Sequence, residues 1–136
     1  MGQLHVPVTL TNTRELVLVR IGHLDASQVH TVTTEALVDT GAMHLILPDT
    51  LADQLGLLRL RTQTMTMADG RDGVYAQTEP VTIELLGRAW EVGAVVMGQT
   101  VLLGAIVLEG LDLAVDCTRG TLLPNLGTWD QPVFRG

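Results

Sequence analysis

The sequence predicts an all-β domain, a small closed barrel or folded sheet interrupted by one or two short helices. Three observations predict it. Runs rich in Val, Ile, Leu and Thr, each bounded by Gly, Asp, Asn or Pro, recur along the 136 residues, as short strands do. Val81, Ile83 and Leu85 alternate with Thr82 and Glu84, the period of a strand with one apolar face. The apolar 46% is built from Val, Leu, Ile, Met and Ala, with aromatics at only 3%, and such side chains suit a pleated, half-buried surface.

Taken in order, residues 15–24, 29–38, 62–68, 74–86 and 90–97 are the expected strands. Gly87-Arg88 is expected to turn the chain between the last two, with Gly first as a type II′ turn prefers. A first helix is expected over 48–55, where Pro48 opens it, Asp49 and Asp53 favour its positive end, and Gly56 stops it. A second is expected over 105–111. Leu111, Leu113 and Val115 alternate with Asp112, Ala114 and Asp116, which predicts one more strand with both aspartates facing solvent. Residues 117–136 read as a terminal arm or strand, so the chain is one domain, 1–136, with a core at about 15–116.

Composition narrows the function classes. Fifteen acids against eight bases leave a formal charge of −7, which repels phosphate backbones and anionic lipid, so neither nucleic acid nor a membrane is an expected partner. One cysteine, Cys117, allows no internal disulfide or thiolate cluster and is expected as a small buried residue. With no signal-peptide pattern at the start and no run of 18 apolar residues, the expected location is a reducing cytoplasm. His5, His23, His30 and His44 lack metal-site spacing. No metal and no organic cofactor is expected.

One acid stands where chemistry could occur. Asp39-Thr40-Gly41-Ala42 follows the apolar run Ala36-Leu37-Val38, so a carboxyl sits where a strand leaves the core for a loop. By itself this is an ordinary turn sequence. The segment Glu35 through Ala42, however, resembles the active-site segment of retroviral proteases and the wider retropepsin-like aspartic protease family. Val101-Leu102-Leu103-Gly104 is similar to that family's second signature, apolar residues and a glycine opening a short helix beside the catalytic loop. Between them, Thr66 to Tyr75 occupies the position of the family's flap hairpin.

The resemblance implies a retropepsin-like barrel in which Asp39 is the catalytic carboxylate, supported by Thr40, Gly41 and Ala42. It places Met67, Asp69, Gly70, Arg71 and Gly73 at the flap and substrate cleft, with Gly70 and Gly73 giving mobility, and Leu102, Leu103 and Gly104 beside the active loop. Because the chain carries one Asp-Thr-Gly, it supplies half of a dyad, and the implied partners are a second copy of itself and a peptide or protein substrate. Thr40 would hydrogen-bond across that dimer. Ala42 stands where cellular pepsins usually carry Ser or Thr, so Asp39 lacks a hydroxyl donor and the working pH is expected nearer neutral than pepsin's. Asp69, Arg71 and Asp72 crowd a flap tip that is glycine-rich and apolar in retroviral relatives. The alternative function is a retropepsin fold without catalysis, serving as a peptide-binding or dimerisation module.

Overall fold

A computed structural model describes residues 3–67 and 69–125. Ala68, within the expected flap, and residues 126–136 of the expected arm lie outside that range. The elements in order are β1 (Leu4–Asn12), α1 (Thr13–Arg20), a 3-10 turn (Ala26–Gln28), β2 (Thr31–Val38), β3 (Leu45–Leu47), α2 (Asp49–Gln54), β4 (Arg59–Thr66), β5 (Asp72–Leu85), β6 (Arg88–Val96), β7 (Val101–Leu103), α3 (Ala105–Leu111), β8 (Leu113–Asp116) and β9 (Thr121–Pro124).

Seven strands hydrogen-bond in the order β1-β2-β7-β3-β6-β5-β4, and β1 also pairs with β5. That extra pairing, Thr9 to Asn12 against Val81 to Glu84, closes six of them into a barrel, the closed β architecture that the sequence predicts. Closure leaves those strands without free edges over the paired stretch. Inside lie Leu10, Leu45, Leu47, Leu55, Ile83 and Leu103, all fully buried. Each contributes roughly 1.5–3 kcal/mol relative to exposure.

The strand β5 belongs to two structures. Its second half pairs with β6 and β1 inside the barrel, and its first half leaves to pair with β4 as a projecting hairpin. The register shifts between Gln77 and Pro80, where the two halves meet, as a bulge does when it bends a strand. There the Thr78 hydroxyl accepts from the Ala94 N–H at 3.0 Å. Opposite, a Cβ on Gly93 would lie 2.7 Å from the Thr78 carbonyl, so glycine lets the strands close at the bend.

The structure corrects several expectations. Residues 15–24 form no strand: α1 covers most of the segment, although Val17, Leu18 and Val19 favour sheet. Helix wins because Asn12 caps it, its side chain accepting from the Glu15 N–H at 3.0 Å, an arrangement that satisfies an otherwise unpaired donor. The β5–β6 turn falls one residue early, on Leu86-Gly87 rather than Gly87-Arg88. Both have positive φ, 53° and 79°, the pattern of a type I′ turn. Cys117 is exposed rather than buried, because it sits in the β8–β9 turn. Asp112 and Asp116 do not simply face water. Asp112 ends α3 in the left-handed region and accepts from Asn125 Nδ2 at 2.6 Å, while Asp116 accepts the N–H groups of Thr118 and Arg119. Among the described residues no helix is long and apolar enough to cross a membrane.

Candidate active site

The loop 39–44 is held by strands on both sides of a third. β2 delivers Asp39 and runs parallel to β7, with Leu37 opposite Leu102 and Val38 opposite Leu103. After the loop the chain returns as β3 on the other side of β7, antiparallel to it. The short β7 is thus inserted between the two strands that the loop connects.

Main-chain hydrogen bonds lock this insertion. The Asp39 N–H donates to the Leu103 carbonyl at 3.0 Å, Gly104 N–H to His44 at 3.1 Å, Ala105 N–H to Ala42 at 2.8 Å and Ile106 N–H to Met43 at 3.0 Å. Gly104 is required by space: a Cβ there would lie 2.5 Å from the His44 carbonyl oxygen and 2.6 Å from the Met43 carbonyl carbon. Within the loop, Ala42 N–H donates to the Asp39 carbonyl at 3.1 Å, and Gly41 N–H donates to Asp39 Oδ1 at 3.0 Å. The carboxylate is therefore oriented by its own loop, and its other oxygen makes no hydrogen bond among the described residues. Asp39 and Ala42 are half-buried, whereas Thr40 and Gly41 are exposed.

Asp39 opens onto a cleft of about 480 Å³. Leu37, Ile46 and Leu102 from the barrel, Met65, Thr66 and Met67 from the hairpin, and Met97, Gly98, Gln99 and Thr100 from the β6–β7 loop line it together with Asp39, Gly41 and Ala42. The lining is apolar except at Asp39 and a few neutral polar groups. A concave, mostly apolar surface with a few polar groups is the usual character of a ligand site.

The expected flap residues divide. Met67 lines the cleft, while Asp69, Gly70 and Arg71 are exposed at the hairpin tip. There Asp69 accepts from the Arg71 N–H at 3.0 Å and from Arg71 Nε at 2.7 Å, and Thr66 Oγ1 donates to Asp72 at 2.7 Å. Asp69 and Arg71 thus satisfy each other, and Asp72 is held by the Thr66 hydroxyl. Gly70 has φ +86°, and Gly73 packs against the Tyr75 ring, where a Cβ would come within 2.6 Å. Leu102 reaches the cleft, Leu103 is fully buried beneath the loop, and Gly104 is buried at the start of α3. Sequence reasoning missed Leu37 and Ile46, because strand alternation does not say which face meets a cleft, and Gln99 and Thr100, because a loop between two strands has no period to place it.

No group of three or more His, Cys, Asp or Glu side chains among the described residues is placed to hold a metal ion. The family model for gag-polyprotein putative aspartyl protease matches residues 19–110, more than half of the chain and inclusive of the loop, the hairpin and β7. This chain belongs to that retropepsin-like aspartic protease family, and it forms a protease-like domain. No curated protein matches it.

Proposed function

We propose that two copies of this chain pair about a two-fold axis through the 39–44 loop and act as an aspartic endopeptidase. The observation that carries this reading is the lining of the cleft, which among the described residues contains the Asp39 carboxylate and no second acid. Peptide hydrolysis of this kind uses two carboxyls sharing one proton, because two such groups about 3 Å apart cannot both ionise. One chain therefore lacks half of the machinery, and a two-fold axis supplies the other half as the partner's Asp39. The exposure of Thr40 and Gly41, with Met43 58% exposed beside them, is consistent with a second chain covering this face.

In that dimer the ionised carboxyl takes a proton from water as it attacks the scissile carbonyl, and the protonated one donates to the carbonyl oxygen. Thr40 hydrogen-bonds across the axis, and Gly41 lets the backbone approach the carboxylates. The hairpin bearing Met65 and Met67 lies over the substrate and limits water. With Ala42 after the loop glycine, the pH–rate optimum lies nearer neutral than pepsin's, and an optimum near about pH 2 would contradict that.

The test is cleavage of unfolded casein by the wild type and by Asp39→Asn between about pH 3 and 8. Loss of cleavage in the variant, with folding retained, supports the endopeptidase. Equal cleavage by both removes it, and peptide binding without cleavage by either favours the non-catalytic module.

A further inference from the structure

The geometry points to a second, polar lobe of the cleft that selects substrates carrying an acidic side chain, Glu or Asp, at a fixed distance from the cleaved bond. This rests on the endopeptidase reading and concerns which peptides that site accepts. Beyond Asp39 the cleft continues into a lobe of about 370 Å³ that shares Gly41, Ala42, Ile46, Met65 and Thr66 with the first. Its other walls are Met43, His44, Gln63 and Thr64. The walls the lobes do not share differ: the first adds Leu37, Met67, Met97 and Leu102 beside Gln99 and Thr100, and the second adds His44, Gln63 and Thr64 beside Met43.

The polar groups of the second lobe converge. His44, two residues past Ala42 on the loop, has its Nε2 3.3 Å from Gln63 Nε2 on β4. Both side chains are half-buried, and each keeps hydrogen-bonding capacity beyond that single contact. Along β4 the register is regular from Arg61 through Gln63 to Met65, opposite Gln77, Tyr75 and Gly73, so Arg61 stands next in line on the face that carries Gln63.

Charge sets the sign of the preference. Arg59 on the same strand is held by Asp49 and Asp53 at 2.8 and 2.9 Å, whereas the Arg61 side chain makes no hydrogen bond or ion pair among the described residues. Among the described residues no acid lines the second lobe. A carboxylate placed there meets the Gln63 amide donor and the His44 imidazole, and the Arg61 guanidinium belongs to the next residue along that face of β4, outside the lobe's own walls. In a chain of formal charge −7, Arg61 is a cation without an ion-pair partner among the described residues beside this lobe, and a charge-assisted hydrogen bond is stronger and more selective than a neutral one.

The experiment presents the wild type with tryptic peptides of a whole-cell extract and sequences the products by mass spectrometry. A cleaved peptide is then remade with its Glu or Asp changed to Gln or Asn. The expected result is enrichment of acidic residues at one position, and a fall in kcat/KM of about threefold to tenfold on neutralising it. In Gln63→Leu and His44→Leu the fall shrinks towards none while the apolar preference near the cleaved bond stays. Gln63→Glu turns the preference against acidic peptides, a reversal that simple loss of folding cannot produce. Asp39-dependent cleavage without acidic enrichment, or enrichment untouched in all three variants, overturns the inference alone. Absence of cleavage by the wild type, or cleavage undiminished in Asp39→Asn, overturns the endopeptidase reading and the inference with it.

Discussion

The main-chain N–H of Asp39 donates to the carbonyl of Leu103 across 3.0 Å, which joins the acid-bearing loop to a strand more than sixty positions later in the chain. Gly104, the next residue, leaves room for the loop carbonyls of Met43 and His44. Gly104→Ala is expected to force that backbone apart and destabilise the fold by about 2–4 kcal/mol. Urea denaturation measures the loss, and an unchanged midpoint would mean that the loop does not pack against β7 as described.

A second anchor lies at the opposite end of β2. Asn12 is fully buried, caps α1 through the Glu15 N–H, and donates to the carbonyls of Leu55 at 2.9 Å and Gly56 at 3.2 Å. The Gly56 carbonyl also receives Arg14, so Asn12→Ala orphans one helix donor and chiefly the Leu55 carbonyl. The expected cost is about 2 kcal/mol, read as a lower unfolding midpoint, with the Asp39 cleft unaffected in any binding assay.

The β5–β6 turn offers a gain. Leu86 holds φ 53° while its side chain is 57% exposed, so it bears the strain of the left-handed region with little compensation from burial. Leu86→Asn makes the favoured Asn-Gly pair. Stabilisation of about 0.5–1 kcal/mol is expected, visible as a raised Tm, and a lowered Tm would contradict it.

Acid acts on a different cap. The Ser27 backbone N–H donates to Asp25 at 2.9 Å, and this hydrogen bond, first among the causes, holds the Asp25 carboxyl below the usual aspartate range. A folded-state pKa below the unfolded one means that the cap's contribution is complete above the ordinary aspartate value. It is lost as pH falls through the lower folded value. NMR titration should place Asp25 below a model aspartate, and Asp25→Asn should flatten the acid limb of the stability curve slightly.

The legible parts of the sequence were those that local chemistry determines. Val81, Ile83 and Leu85 announced their strand because one face is buried, and Ala105 to Leu111 announced its helix between Gly104 and the left-handed Asp112. What stayed hidden depended on partners far along the chain. β3 is only Leu45–Leu47, too short for a period, and exists because β6 and β7 flank it. β1 alternates Val6, Val8 and Leu10, and it is ordered by pairing with β2 and β5. At the candidate site, Asp39 and Gly104 were visible as motif residues. Gln99 and Gln63 carry no local mark, and only the placing of the β6–β7 loop and of the β4–β5 hairpin against the 39–44 loop brings them to the site.

Mixing tests the pairing at Asp39 most directly. Wild-type chains and Asp39→Asn chains are combined in equal amounts, allowed to exchange subunits, and assayed for peptide cleavage against the same total protein of wild type. If each active unit needs two Asp39 carboxylates, random pairing leaves about one quarter of the dimers competent, and activity falls to about a quarter. A fall to only about one half, the simple dilution expected of chains that act alone, would contradict the account.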